Sequence, residues 1–167
     1  LQGKVKGRFY DVCIELAADM LEIAGKGTND ECRAMAEEAV SSGKALDVLR
    51  KTIRLQGGDE RICDDVSLLP RPEFHYAVRA TEDMDIVSFN TEELGMTSLL
   101  LGAGRTEKGD RIDPSAGIVM NCSPGDTLSE GDVIMTLYSS FCSDFSNADV
   151  RALNAVEFRS IGVRSYT

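Results

Sequence analysis

The stretch from Leu99 to Tyr138 constrains the fold of this chain more than any other part of the sequence. An apolar run there ends in Gly102-Ala103-Gly104-Arg105, and the turns Pro124-Gly125-Asp126 and Glu130-Gly131-Asp132 lie between short runs rich in β-branched residues. Gly-Asp pairs are typical of tight turns, and short alternating runs are typical of strands. The repeated Gly-Asp pattern therefore predicts two related turns in a small sandwich of strands.

Helical periodicity dominates the first third of the chain. Apolar residues recur at three- and four-residue spacing from Arg8 to Ala24, which predicts a helix with an inward-facing stripe. Thr28-Asn29-Asp30-Glu31 matches a capping box and predicts the start of a second helix, whereas Gln56-Gly57-Gly58-Asp59 predicts the end of a third. The predicted inner stripes comprise Phe9, Val12, Cys13, Leu16, Met20 and Ile23 in the first helix, Cys32, Met35, Ala36, Ala39 and Val40 in the second, and Leu46, Val48, Leu49 and Ile53 in the third.

A change from helical to strand patterning occurs at Pro70 and Pro72, because each proline disfavours helix in the residue before it. We therefore predict an α+β chain with a helical segment over residues 1–60, a linker over 61–73 and a β-rich domain over 74–167. Strands are expected at Phe74–Arg79, Asp85–Phe89, Ala116–Met120 and Val133–Tyr138, short helices after Asn90 and over Asn147–Asn154, and an extended segment over Val156–Tyr166.

Charge and cysteine usage exclude several classes of protein. A formal net charge of −10 argues against a nucleic-acid partner, because phosphate backbones are bound by clustered Lys and Arg. No apolar run reaches the roughly 18 residues that a membrane span requires. The five cysteines include no pair at the two-residue spacing typical of zinc or redox sites, so we expect reduced cysteines in a cytoplasmic protein.

Side chains suited to catalysis are scarce. His75 is the only histidine, which excludes a multi-histidine metal site and favours a structural role for that residue. The spacing of the loop aspartates does not fit a calcium loop, so turn formation is their expected role. We predict neither a catalytic residue nor a metal site in this chain. The aspartates concerned are Asp110, Asp113, Asp126 and Asp132.

The Gly102-Ala103-Gly104-Arg105 segment has two interpretations. Backbone amides of a glycine turn and the donors of Arg105 could bind an anion. However, the glycines follow an apolar helix, and the carbonyl groups at a helix C-terminus disfavour anions. The favoured interpretation is a helix stop followed by a mobile loop over residues 106–111.

The segment Ser123–Ile134 also resembles the half-barrel of biotinyl and lipoyl carrier domains. A carrier must present a lysine on an exposed hairpin for attachment of its group. Lys108 is the only lysine after Phe74, and it lies outside this segment. A carrier module is therefore the weaker alternative, and a freestanding interaction domain is a third.

Taken together, the ordered motifs from about residue 7 to residue 140 resemble the C-terminal part of the pyrimidine-nucleoside phosphorylases, the family that includes thymidine phosphorylase. The last 27 residues match only loosely. The matching pieces are Ala45-Leu46, Leu55-Gln56-Gly57-Gly58-Asp59, Asp64-Asp65, Leu68-Leu69-Pro70, Leu101-Gly102-Ala103-Gly104-Arg105, Ile112-Asp113, Ala116-Gly117-Ile118-Val119, Gly125-Asp126 and Glu130-Gly131-Asp132.

The resemblance implies an α/β-hammerhead, a barrel-sandwich-like domain, over residues 74–167, preceded by the C-terminal helices of the family's α/β domain. The intact family converts pyrimidine nucleosides such as thymidine and uridine, with phosphate as co-substrate and no cofactor, to free base and (deoxy)ribose 1-phosphate. It implies a homodimer that binds neither nucleic acid nor membrane. The loop residues Gly102, Gly104, Arg105 and Lys108 are the implied candidates for approaching the substrate cleft.

The family's phosphate-binding K-H-S-T-G-G motif and base-binding S-I-M-S-K-K motif do not occur in these 167 residues. Both precede this region in family order, so we expect the chain to be a fragment that supplies scaffold and a cleft-closing region. Alone it is expected to be inactive, because the donors that position and stabilise the reacting groups are missing.

Overall fold

A computed structural model describes residues 1–161. The chain divides into two compact units, Leu1–Leu69 and Pro70–Thr167. The first unit is helical, and the described part of the second combines two helices with two small antiparallel sheets. The predicted α+β class is confirmed.

Three helices build the first unit: α1 (Arg8–Ile23), α2 (Asn29–Ser41) and α3 (Lys44–Leu55). Helix α2 packs on both α1 and α3. Two 3₁₀ helices follow at Glu60–Cys63 and Val66–Leu68, within the segment predicted as a linker. The first of them packs on α3, and Arg50 pairs with Asp64 through two 2.8 Å contacts.

Within the described residues, the predicted inner stripe of α1 is largely exposed. Ile14 and Ala18 are the buried residues of α1, whereas Phe9 and Ile23 are 84% and 87% exposed. Small side chains permit the close approach of α2, and the larger side chains therefore lie on the uncovered face. In α2 the prediction holds for Cys32 and Ala36, which are buried. The exposed large residues of the predicted stripes are Phe9, Val12, Leu16, Met20, Ile23, Met35, Val48 and Leu49.

The predicted capping box at the start of α2 is confirmed. The Thr28 hydroxyl accepts a hydrogen bond from the amide of Glu31, and the Glu31 carboxylate accepts from the amide of Thr28 at 2.8 Å. The first amides of a helix have no partner within the helix, so these bonds satisfy groups that would otherwise need water.

We expect Thr28→Ala to lower the free energy of unfolding of the first unit by about 1 kcal/mol, because a helix start loses its cap. Urea denaturation followed by circular dichroism measures the change. Thr52→Ala is the matched control: the Thr52 hydroxyl only donates to the Val48 carbonyl within α3, so its loss should leave stability nearly unchanged. Equal effects of the two substitutions would contradict the capping role.

Residues 70–161, the described part of the second unit, form six strands in two sheets. The strands are β1 (Phe74–Arg79), β2 (Met84–Phe89), β3 (Gly117–Met120), β4 (Thr127–Leu128), β5 (Val133–Ser139) and β6 (Val156–Ser160). One sheet has the order β1-β5-β3 and the other β4-β2-β6, and every pairing is antiparallel. The predicted strands are confirmed within about two residues, β4 was not predicted, and residues 162–166 of the predicted last segment lie outside the described residues.

The core of the second unit lies around β5. Ile134, Met135 and Leu137 are all fully buried, and successive strand residues point to opposite faces. Both faces of β5 are therefore covered. Helices α4 (Thr91–Leu100) and α5 (Ser146–Asn154) pack on each other, and α5 adds Ala148 and Ala152 to this core.

The two Gly-Asp turns have the same hydrogen-bonding pattern, which confirms the predicted relation between them. In each, the aspartate carboxylate accepts from a serine amide three residues earlier at 2.8 Å. The glycine amide of each turn donates at 2.8 Å, in one case to the carbonyl of Ile86 in β2 and in the other to that of Ala80, which directly follows β1. The amides of Ile86 and Ala80 donate back to the carbonyls of Asp126 and Asp132 at 2.9 and 2.8 Å.

Candidate functional site

The loop between α4 and β3 begins with a tightly bonded helix end. Gly102 has a φ of 98°, in the left-handed region that glycine adopts most readily. Its amide donates to Leu99 O and the amide of Ala103 donates to Ser98 O, both at 3.0 Å, which is the Schellman pattern. These amides are therefore unavailable to an anion, and the helix-stop interpretation is confirmed.

Both candidate glycines also lie against neighbouring side chains. A Cβ atom on Gly102 would lie 3.4 Å from Asp113 Cβ and 3.5 Å from a ring carbon of Phe141. A Cβ atom on Gly104 would approach Leu99 Cδ1 to 2.7 Å. Gly102 and Gly104 therefore shape the base of the loop, and nothing shows them contacting a substrate.

Asp113 closes the base of the loop. It is 2% exposed, and its amide donates to Gly102 O at 2.8 Å. One carboxylate oxygen accepts from the amide and hydroxyl of Ser115 at 2.9 and 2.6 Å, and the other accepts from the amide of Ser140. The loop base is thereby tied to the segment that follows β5.

Ser139 completes this connection from the end of β5. Its buried hydroxyl donates to Leu101 O at 2.7 Å and accepts from the amides of Phe141 and Cys142 at 3.0 and 2.9 Å. Burial acts to raise the pKa of Asp113, but the hydrogen bonds from Ser115 and from the amide of Ser140 outweigh it and lower that pKa. Asp113 is therefore a buried carboxylate held in its charged form by neutral donors.

Asp110 organises the tip of the loop in a similar way. Its carboxylate accepts from the hydroxyl of Thr106 at 2.6 Å and from the amides of Thr106 and Glu107 at 3.1 and 2.8 Å. These bonds lower the pKa of Asp110. Arg105 Nε donates to the Asp110 carbonyl at 3.1 Å. The tip predicted as mobile is thus closed by its own hydrogen bonds.

The loop between α4 and β3 carries exposed basic side chains. Arg105 and Lys108 are exposed. Arg111, which sequence reasoning did not single out, places its guanidinium 5.5 Å from the centre of the Phe141 ring, within cation–π range. The predicted turn role of Asp113 is confirmed, because its carboxylate accepts from the amide of Ser115 two residues later.

Other candidate residues form no catalytic arrangement in the part of the chain that the structure describes. His75 is exposed, with its ring 6.2 Å from that of Tyr138. All five cysteines are free thiols. Within residues 1–161, no group of three or more His, Cys, Asp or Glu is placed to hold a metal ion, and no helix is long and apolar enough to cross a membrane.

The first unit contains an apolar groove of about 1350 Å³. Its lining includes side chains from all three helices, such as Phe9, Met20, Met35 and Leu49. Few polar groups face this groove, so it offers apolar contact rather than an acid, a base or an anion site.

The second unit is thus an α+β domain with one internally bonded basic loop. Residues 86–159 match the family described as the pyrimidine nucleoside phosphorylase C-terminal domain. The pyrimidine-nucleoside phosphorylase of Bacillus subtilis (strain 168) is 36% identical over 140 residues, which are 83% of this chain and 32% of that protein. The pyrimidine-nucleoside phosphorylase of Staphylococcus aureus (strain USA300) is 34% identical over 140 residues, again 83% of this chain and 32% of that protein.

The chain belongs to the pyrimidine-nucleoside phosphorylase family, as part of its C-terminal region. It spans about a third of the length of the curated relatives it matches. The carrier alternative gains no support, because Lys108 lies in the loop between α4 and β3 and not in a hairpin between paired strands.

Proposed function

We propose that this chain supplies the C-terminal part of a cytoplasmic pentosyltransferase of nucleoside salvage. The reaction is phosphorolysis of a pyrimidine nucleoside, thymidine or uridine, to free base and (deoxy)ribose 1-phosphate. Phosphate serves as co-substrate without a cofactor, and the intact enzyme is a homodimer. The identity of 36% over 140 residues to a phosphorylase is the observation that carries the proposal.

The first unit serves as scaffold in this proposal. Its exposed apolar side chains, including Phe9 at 84% and Ile23 at 87% exposure, support packing against the part of the family's architecture that lies outside these 167 residues. Burial of such side chains supplies most of the stability of a helix in a protein.

The second unit contributes the region that closes the cleft. The bonds of Asp110 and Asp113 support this role, because they fix the loop that carries Arg105 and Lys108. A closing element works best when its shape is set before closure, because less conformational entropy is then lost. Closure would exclude water, so that phosphate and not water attacks the nucleoside.

Grafting tests the proposal. The isolated chain should show no turnover of thymidine or uridine with phosphate, since the catalytic motifs are absent from it. The Bacillus subtilis relative should lose phosphorolysis when the matching region is deleted from it. Insertion of this chain in place of that region should restore the activity. Release of free base, followed by absorbance, measures both.

Thermal melting of the graft shows whether it is folded. A folded but inactive graft would contradict the scaffold and cleft-closing role. Turnover by the isolated chain would contradict the prediction that catalysis needs groups outside it.

A further inference from the structure

The strand β6 lies at an edge of its sheet. Among residues 1–161 it pairs only with β2, so one side of its backbone has no strand beside it. Such an edge presents unpaired N–H and C=O groups to which another strand can bind. The other edge strands of the two described sheets are β1, β3 and β4. Among these four, β6 alone carries both an acidic and a basic residue, Glu157 and Arg159.

The hydrogen bonds at the two ends of β6 define which of its backbone groups face outward. The carbonyl of Ala155, directly before β6, and the amide of Ile161, directly after it, are bonded to the residues that flank β2, at 2.8 and 2.9 Å. The backbone groups of successive residues in a strand face opposite sides. Ala155, Ile161 and every second residue between them therefore face β2. The outward-facing groups are those of Val156, Phe158 and Ser160.

The side chains of β6 extend both faces of the sheet. Phe158 lies opposite Ile86 in β2, so the two side chains point to the same face. Ile86 is 2% exposed within the core, whereas Phe158 is 41% exposed at its margin. Glu157 and Arg159 point to the other face, because successive strand residues alternate. The edge of β6 thus combines a half-covered ring on one face with two opposite charges on the other.

We propose that β6 pairs with β6 of a second copy of this chain, antiparallel and centred on Phe158. A two-fold axis at Phe158 places Glu157 of each copy opposite Arg159 of the other, which gives two pairs of opposite charge. Opposite charges at facing positions of an antiparallel pair attract, and like charges destabilise it. A centre at Glu157 or Arg159 would place two carboxylates or two guanidinium groups opposite each other. The charges therefore select Phe158 as the centre.

Backbone bonds and apolar contact add to this pairing. The outward amide and carbonyl of each Phe158 bond to the same groups of the second copy, and Ser160 of each copy pairs with Val156 of the other. The two Phe158 side chains lie side by side and cover part of each other. Only the five residues of β6 take part on each side, so the dimer is weak, with a dissociation constant on the order of 0.1 mM.

Amide hydrogen exchange of the whole chain, followed by NMR at several protein concentrations, tests the edge. Protection of the Phe158 and Ser160 amides should rise with protein concentration, because a second copy supplies their acceptors. The amide of Arg159 faces β2 and should be protected at every concentration, which makes it the internal reference. Protection of Phe158 that does not depend on concentration would mean that another segment of the same chain covers the edge, and it would overturn the proposal. Fast exchange of Phe158 at about 1 mM, tenfold above the expected dissociation constant, would also overturn it.

Charge reversal tests the register. Glu157→Arg and Arg159→Glu should each weaken the pairing about tenfold or more, because each replaces two attractive pairs with two like-charge pairs. An equimolar mixture of the two variants should restore the protection of Phe158, since unlike copies again place opposite charges together. Glu82→Arg, which reverses an exposed carboxylate between β1 and β2, is the matched control and should leave the pairing unchanged.

A mixture that fails to restore protection, or an equal effect of Glu82→Arg, would overturn the pairing. The exposed apolar side chains of the first unit offer another route to association. That route would neither protect the Phe158 amide nor respond to the charges of β6, so the two are distinguishable. The pairing does not depend on the proposed reaction, and the grafted phosphorylase tests that reaction separately.

Discussion

Asp113→Asn is expected to lower the free energy of unfolding of the second unit by about 3 kcal/mol. The carboxylate is 2% exposed and receives hydrogen bonds from Ser115 and Ser140. An asparagine keeps the shape but removes the charge, and its NH₂ group would face a donor. Lost bonds to a buried charge, together with an unsatisfied donor, typically cost this much. Urea denaturation followed by NMR signals of the second unit measures the loss.

The effect should depend on pH with a definite sign. Because the folded-state pKa of Asp113 is lowered, its contribution is fully present above the unfolded-state pKa of about 3.9. It is lost as the pH falls through the lower folded-state pKa. The difference in free energy of unfolding between the unsubstituted protein and Asp113→Asn should therefore be constant near neutral pH and should become smaller in acid.

Asp126→Asn provides the control for Asp113→Asn, because it alters one exposed turn carboxylate with a single amide donor. Its expected cost is about 0.5 kcal/mol, which is typical of surface substitutions. Two results would contradict the stabilising role of the charged Asp113 at the loop base. One is a similar loss of unfolding free energy for both substitutions, and the other is a loss for Asp113→Asn that grows in acid.

Leu137→Ala is expected to destabilise the second unit by about 4 kcal/mol, the usual cost of a large-to-small change in a filled core. Leu137 is fully buried in β5, the central strand of its sheet, and belongs to the main apolar cluster. The strands β1 and β3 flank β5 and hold the residues next to Leu137 in place, so these cannot collapse fully into the space left. The same denaturation experiment measures the loss.

Val119→Ala is the comparison for Leu137→Ala. Val119 lies on the edge strand β3 and is 51% exposed, so its truncation should cost less than about 1 kcal/mol. If Leu137→Ala cost no more than Val119→Ala, β5 would not be the centre of the core. An unchanged dependence on urea concentration would show that both variants unfold the same surface.

The sequence predicted correctly the features that depend on residues close together in the chain. Thr28 and Glu31 lie three residues apart and define a cap by themselves. The strand β1 was predicted with its observed bounds, and turn formation by Asp126 and Asp132 follows from bonds within four residues. Each of these features depends on neighbours in the sequence, so no knowledge of the tertiary fold was needed.

Features that depend on distant neighbours could not be predicted. Periodicity shows that α1 has apolar positions but not which helix will approach them, and so Ile14 rather than Phe9 is buried. The contacts of the Asp113 carboxylate include Ser139 and Ser140, which are separated from Asp113 by 26 and 27 residues. The contact of Arg111 with Phe141 likewise joins two segments that only the fold brings together.

The two Gly-Asp turns have a consequence for which lengths of chain this domain tolerates. Ala80, which follows β1, pairs with Gly131, and Ile86 in β2 pairs with Gly125. The two paired residues are the same number of positions apart in each segment, and the two segments run in opposite directions. A single residue inserted or deleted between the turns would leave one of them without its partner. The loop from Ala103 to Ile112 is closed by bonds of its own instead, between Asp110 and residues 105–107 and between Asp113 and Gly102 at its base. A change in the length of this loop would therefore break those bonds but leave the spacing of the paired turns unchanged.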